Sequence, residues 1–312
     1  MFDQAVTLRR MMSDISGGQK LASQWGAEQG AGLNASHYGS VPRVLAITGG
    51  KGGVGKTLTT ANLGLCFARL GMKTLLIDGD FGLANLDVVM GIRPQFTLDD
   101  VLAGERELAD VILTGHDGVR VIPASSGVMK VVDLSRTHKL VLLDQIEGLD
   151  EQFDIVLIDT PAGVSRNVQY WTGAAAEVIL VATPEPTSLA DSYATMKILS
   201  HTTRETSFKL VVNMVRNEEE GLRVYDKLST LADEFLNVKV EYVGSIPFDD
   251  AMRASVRERI PCVVRYPFSQ SARGVRTVAN QLLASQKSDS AKGTMQFFWR
   301  RMVSAGQPDL FG

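Results

Sequence analysis

Thiol and imidazole chemistry is nearly missing from this 312-residue chain, which holds two cysteines and four histidines. Cys66 and Cys262 stand far apart with no C-x-x-C partner, so neither a disulfide framework nor a thiolate metal site is expected, and a reducing compartment fits. His37, His116, His138 and His201 are scattered without ligand spacing and are assigned no metal. No apolar run approaches the roughly 20 residues that span a bilayer, and the N-terminus lacks the apolar core of a signal peptide; a chain that stays in the cytoplasm is expected. An excess of basic charge is absent too. The 32 Lys and Arg are set against 35 Asp and Glu, for a net charge of −3 and a pI near 5.9, which argues against a globally basic nucleic-acid binder.

What is present is apolar patterning. With 45% hydrophobic and 21% charged residues, the chain can build one large α/β domain with a buried core, plus tails. Residues 1–15 read as a short helix, and 16–41, rich in Gly, Ser, Ala and Gln, as a flexible linker. From 42 to 287, short β-rich runs alternate with amphipathic helical stretches. The runs go from Val44 to Thr48, Thr74 to Asp78, Val119 to Pro123, Asp154 to Asp159, Val178 to Ala182, Leu210 to Val215 and Val240 to Ile246. Near-continuous apolar strands separated by helices predict a doubly wound, mainly parallel sheet covered on both faces, with ligands at the carboxyl ends of its strands.

The densest signal sits at the first of those ends. Thr48-Gly49-Gly50-Lys51-Gly52-Gly53-Val54-Gly55-Lys56-Thr57 contains the phosphate-loop pattern G-x-x-x-x-G-K-[ST], preceded by an apolar strand and followed by a helical stretch from Leu58 to Leu70. Glycines let successive backbone N–H groups turn inward as an anion nest at a helix N-terminus. Lys56 is predicted to reach the β- and γ-phosphates, and the Thr57 hydroxyl to ligate Mg2+. Lys51 has no role in the generic loop. Two more strands end in carboxylates, at Asp78-Gly79-Asp80 and at Asp159-Thr160-Pro161-Ala162-Gly163. Asp159 is expected to hold the magnesium or its water shell, and Asp80 to position the attacking water beside that metal.

Lys51 within the loop, the segment from Asp78 to Asp87 and the Asp159-to-Gly163 turn resemble the MinD/ParA group of deviant Walker A P-loop ATPases, over about residues 43–285. That resemblance implies an ATP-bound homodimer in which Lys51 of one subunit reaches the phosphates held by the other, so that hydrolysis releases the dimer. It makes Lys51, Lys56 and Asp80 the catalytic set and Thr57, Asp80 and Asp159 the metal set. ATP contacts are implied at Gly50, Lys51, Gly52, Gly53, Val54, Gly55, Lys56, Thr57 and Thr59, with Asn213 and Pro247 at the adenine.

The termini narrow the branch. Asp3-Gln4-Ala5-Val6-Thr7-Leu8-Arg9 is similar to the D-Q-A-x-x-L-R element of the flagellar-number regulators FlhG, also called FleN or YlxH. In that family the element docks on the GTPase FlhF and stimulates it, which implicates Asp3, Gln4, Ala5, Leu8 and Arg9; the alternative is a helix packed on its own core. The family also offers flagellar switch (C-ring) proteins and a flagellar transcription activator as partners. Within 288–312, Met295, Phe298, Trp299, Met302 and Val303 form one apolar helical face with Gln296, Arg300 and Arg301 opposite. Such a face suits a membrane surface, reversibly and with avidity from dimerisation, or a helix packed on the domain. Competing assignments are a MinD-type division-site ATPase and a ParA-type DNA-partition ATPase, the latter disfavoured by the acidic pI. Iron–sulfur carriers on this scaffold would need paired cysteines, and a tyrosine autokinase a C-terminal tyrosine cluster; neither is found.

Overall fold

The computed structural model describes residues 42–80, 85–124, 135, 137–138, 141, 144–145 and 153–285. The N-terminal element, the linker and the C-terminal amphipathic stretch of the sequence reading lie outside them.

Among the described residues eight strands form a single sheet: β1 (Arg43–Thr48), β2 (Thr74–Asp78), β3 (Leu113–Thr114), β4 (Arg120–Ile122), β5 (Ile155–Asp159), β6 (Glu177–Ala182), β7 (Ser207–Val215) and β8 (Lys239–Pro247). Their order is β3-β4-β2-β5-β1-β6-β7-β8. Every pairing is parallel except the two-residue β3 against β4, a short edge the apolar pattern did not announce. The order reverses at β1, whose neighbours are β5 and β6, and ligands of open α/β sheets bind at such a switch point.

Strand side chains alternate between two cores. One face carries Leu45, Ile47, Leu76, Leu157, Ile179 and Val211, packed under α1 (Lys56–Arg69) and, further along the chain, α10 (Gln270–Ala284). The other face is divided. Val44, Ala46, Ile77, Val156 and Ile158 meet Trp171 of α5 (Arg166–Ala174), whereas Leu180, Leu210 and Val212 meet Met196 and Leu199 of α6 (Pro186–Thr202) and Leu228 of α7 (Glu218–Leu236). The short helices α2 (Leu86–Met90), α3 (Leu98–Leu102) and α4 (Leu108–Val111) lie between β2 and β3 in the chain, and α8 (Asp250–Glu258) and α9 (Cys262–Arg265) between β8 and α10. Burial of a Leu, Ile or Phe side chain stabilises by about 1.5–3 kcal/mol, so this three-layer packing fixes where the strands end. No helix among the described residues is long and apolar enough to cross a membrane.

Candidate functional site

The loop between β1 and α1 is shaped by close approach. A Cβ on Gly50 would lie 2.3 Å from the backbone carbonyl carbon of Asp191 in α6, so only glycine lets the loop lean on that helix. Gly55 has φ +91° and leaves no room either, since a Cβ there would sit 2.3 Å from Nδ2 of Asn213. Beyond Gly52 and Gly53 there is open space. Helix α1 starts at Lys56, not at Leu58 as its apolar spacing suggested, with no side-chain cap and no acidic residue in its first turn. Helices α5, α7, α8 and α10 each carry a side-chain cap, from Ser165, Asn217, Asp249 and Ser269. The uncapped first-turn N–H groups of α1 therefore point at the loop with a free positive dipole end, the arrangement that receives phosphate.

Lys56 is buried within this nest. Burial holds its ammonium below the usual lysine range, while Asp159 and Asp80 pull in the other direction. Thr57 donates its hydroxyl hydrogen to Oδ2 of Asp159 at 2.6 Å, and Thr60 donates to Oδ1 at 3.4 Å. Asp159 itself is almost inaccessible; burial and then the nearby Asp78 raise its carboxyl to about 7, against the opposing hydrogen bond from Thr57 and charge of Lys56. Excess negative charge in a dry pocket is the condition a divalent cation relieves, and Thr57 with Asp159 fits Mg2+ on that ground. Among the described residues no cluster of three or more His, Cys, Asp or Glu could hold a metal ion. Thr59 Oγ1 is buried and has no hydrogen-bond partner among the described residues, which suits a hydroxyl whose acceptor arrives with a ligand.

Asp80 sits beside this group, with its backbone N–H on Oδ1 of Asp78 at 3.1 Å. Asp78 was not singled out from sequence, yet it organises this corner. Its buried carboxylate also accepts the N–H groups of Asn85 and Leu86 at 3.1 Å each. Gly79 is wedged between β5 and Trp171, whose indole donates to Gly79 O at 3.1 Å. Lys51 bonds within its own chain: its ammonium pairs with Glu185 and donates to Thr187 Oγ1 at 3.0 Å, at the start of α6. Neither partner was foreseen, because a contact across 134 positions leaves no local pattern.

Asn213 and Pro247 lie at the ends of neighbouring strands, with Asn213 paired to Ile246 and Val215 to Pro247 in register. Asn213, at the end of β7, donates through Nδ2 to Val54 O at 2.8 Å and lies against the loop. Pro247, at the end of β8, faces a cleft of about 370 Å³ with Glu218, Ser245, Arg273 and Thr277 in its lining. The N-terminal set from Asp3 to Arg9 and the C-terminal set from Met295 to Val303 lie outside the described residues.

A family model described as an AAA domain matches residues 42–211. The chain is 39% identical to the antiactivator FleN of Pseudomonas aeruginosa, over 84% of this chain and 93% of that protein. Against the flagellum site-determining protein YlxH of Helicobacter pylori identity is 31%, covering 84% of this chain and 90% of the other. Among solved structures, the septum site-determining protein MinD of Pyrococcus horikoshii complexed with Mg-ADP is similar with a TM-score of 0.64 and 29% identity, over 80% of this chain and all (100%) of that one.

Proposed function

The chain belongs to the MinD/ParA-type deviant Walker A P-loop ATPases, in the group of FleN and YlxH, and from that premise we propose that it is an ATP-driven dimerising switch regulating flagellar number and placement. The observation that carries the nucleotide part is the convergence of the uncapped α1 N-terminus, buried Lys56 and the Thr57–Asp159 pair on one dry nest. The flagellar part is supported by the similarity to FleN and YlxH.

In this reading the backbone of residues 50–57 binds the phosphates and Lys56 offsets charge on the β- and γ-phosphate oxygens. Thr57 and Asp159 would hold Mg2+, which when bound would draw charge from the phosphates. Asp80 orients water toward the γ-phosphate. Lys51 leaves Glu185 and Thr187 to neutralise phosphates bound by the partner subunit, so that ATP joins two copies and hydrolysis separates them. Residues 42–287 form the ATPase domain and 16–41 tether the partner-activating element at 1–15. The tail 288–312 lays Phe298 and Trp299 on the inner face of the cell membrane, reversibly, from a cytoplasmic pool. The FlhF-type GTPase is the direct partner; C-ring proteins and a flagellar transcription activator are further ones, the latter in keeping with the antiactivator name of the relative.

GTP hydrolysis by a purified FlhF-type GTPase, with the full chain or its Arg9→Ala variant added, tests the flagellar part. Stimulation that is lost with Arg9→Ala is the expected result. No stimulation by a chain that still hydrolyses ATP would overturn it and leave a division-site or DNA-partition ATPase.

A further inference from the structure

Met214 is the only non-glycine residue with positive φ inside a described strand, at +59°. It sits at a register irregularity of β7 against β8, between Asn213 and Val215. The side-chain faces explain why. Leu210 and Val212 belong to the core beneath α6 and α7, and Val211 to the core beneath α1. Regular alternation would put Asn213 on the α1 side and Val215 there too. Instead Val215 is fully buried in the α6–α7 core while Asn213 stays with the loop. One left-handed residue between them makes both placements possible, and Met214 is left 37% exposed. An L-residue with a Cβ rarely takes this conformation, and such strain persists where surrounding contacts over-determine it.

The strained residue has one specific consequence. Met214 N–H donates to Oδ1 of Asn213 at 2.9 Å, which fixes which way the amide faces and leaves Nδ2 donating to Val54 O at 2.8 Å. That amide in turn fills the space a Gly55 side chain would need. We propose that Met214 is a positioning residue of the nucleotide site, its left-handed backbone locking the Asn213 amide as a strut between the end of β7 and the phosphate loop. The strut joins the base end of the site to its phosphate end, an assignment that rests on the loop being the ATP site and on Asn213 as the base contact.

The test uses the full chain and calorimetric binding of Mg-ATP, Mg-GTP and Mg-tripolyphosphate, the last having no base. Met214→Val, whose β-branch resists positive φ, is expected to weaken both ATP and tripolyphosphate by about tenfold, the net worth of one hydrogen bond, and to narrow the preference for ATP over GTP. Met214→Gly accepts the same backbone and is expected to rescue binding and to unfold at a higher temperature than the native chain. Native affinities in Met214→Val, or losses in Met214→Gly equal to those of Met214→Val, would overturn the proposal. If Met214→Val does not fold, a lower unfolding temperature for Met214→Gly overturns it instead. Asn213→Ala separates the underlying reading: weaker tripolyphosphate binding with an unchanged ATP-to-GTP ratio removes Asn213 as a base contact but keeps the strut.

Discussion

Asp78 and Asp159 are adjacent in register at the ends of β2 and β5, and that pairing of two buried carboxylates sets a pH dependence. Burial raises Asp78 from 3.8 to about 6, against the three backbone N–H groups it accepts, and raises Asp159 to about 7. A raised folded value means the native state keeps a proton that the unfolded chain has released. The contribution is therefore complete below about pH 4 and is lost as pH rises through about 6 for Asp78 and about 7 for Asp159. For Asp78 alone the loss is on the order of 3 kcal/mol. Asp249, held below the usual carboxylate range by N–H groups of Ala251 and Ser271 although burial opposes this, acts in a lower window and does not mask the effect. Thermal unfolding of the nucleotide-free protein is expected to move to lower temperature from pH 5 to pH 7.5, and Asp78→Asn to flatten the acid half of that slope. A midpoint that rises across the interval would remove the assignment. Much of this was legible in the sequence at the level of single residues: the loop, Asp80 and Asp159 all read from local pattern. The capping work of Asp78 did not, since one aspartate at a strand end looks like another until the chain folds back over it.

At the scale of elements, an ionic node ties β1, β6, β7 and β8 together towards the amino ends of the strands. Arg43, at the start of β1, holds Glu177 of β6 in a two-pronged contact at 2.6 and 2.7 Å and donates to Leu282 O of α10 at 2.5 Å. Lys209 of β7 lies 3.5 Å from the same glutamate and donates to Glu241 of β8 at 2.9 Å. Both Arg43 and Glu177 are buried, so the magnitude comes from leaving a cation unpaired and not from the pair itself. Glu177→Gln leaves buried Arg43 without its carboxylate, while Lys209 keeps Glu241, and is expected to lower unfolding free energy by about 3–5 kcal/mol in urea titration. Mg-ATP affinity of the folded fraction is expected to stay unchanged, because the node lies at the amino ends of the strands and the loop at their carboxyl ends. A drop in affinity matching the drop in stability would mean that the two ends of the strands are coupled. The strands of this sheet were readable because buried parallel strands are continuous apolar runs; seven of eight were read within three residues at each end. The eighth, Leu113–Thr114, has too few residues to set a period, and the strand order depends on crossovers that no local pattern records.

For the whole molecule, the proposed dimer turns on a contact that Lys51 makes within its own chain. Its ammonium is tied to Glu185 and Thr187 within the chain, yet the Glu185 side chain is 64% exposed and that of Lys51 28%. An exposed ion pair of this kind contributes about 0–1 kcal/mol, so it orients the lysine without holding it back from a polyphosphate on a second copy. In the proposed ATP-joined dimer the contact would act as a weak brake. Glu185→Gln is expected to lower the ATP concentration for half-maximal dimer, measured by light scattering with hydrolysis slowed by Asp80→Ala, by less than about fivefold. Lys51→Ala is expected to keep nucleotide binding, which the uncapped helix and Lys56 supply, and to lose the ATP-dependent dimer. The two variants move in opposite directions from neighbouring positions, which separates a role of Lys51 between copies from one confined to its own subunit. A Lys51→Ala chain that still dimerises with ATP would place the lysine's work wholly within its own subunit and make the Glu185 contact its working position.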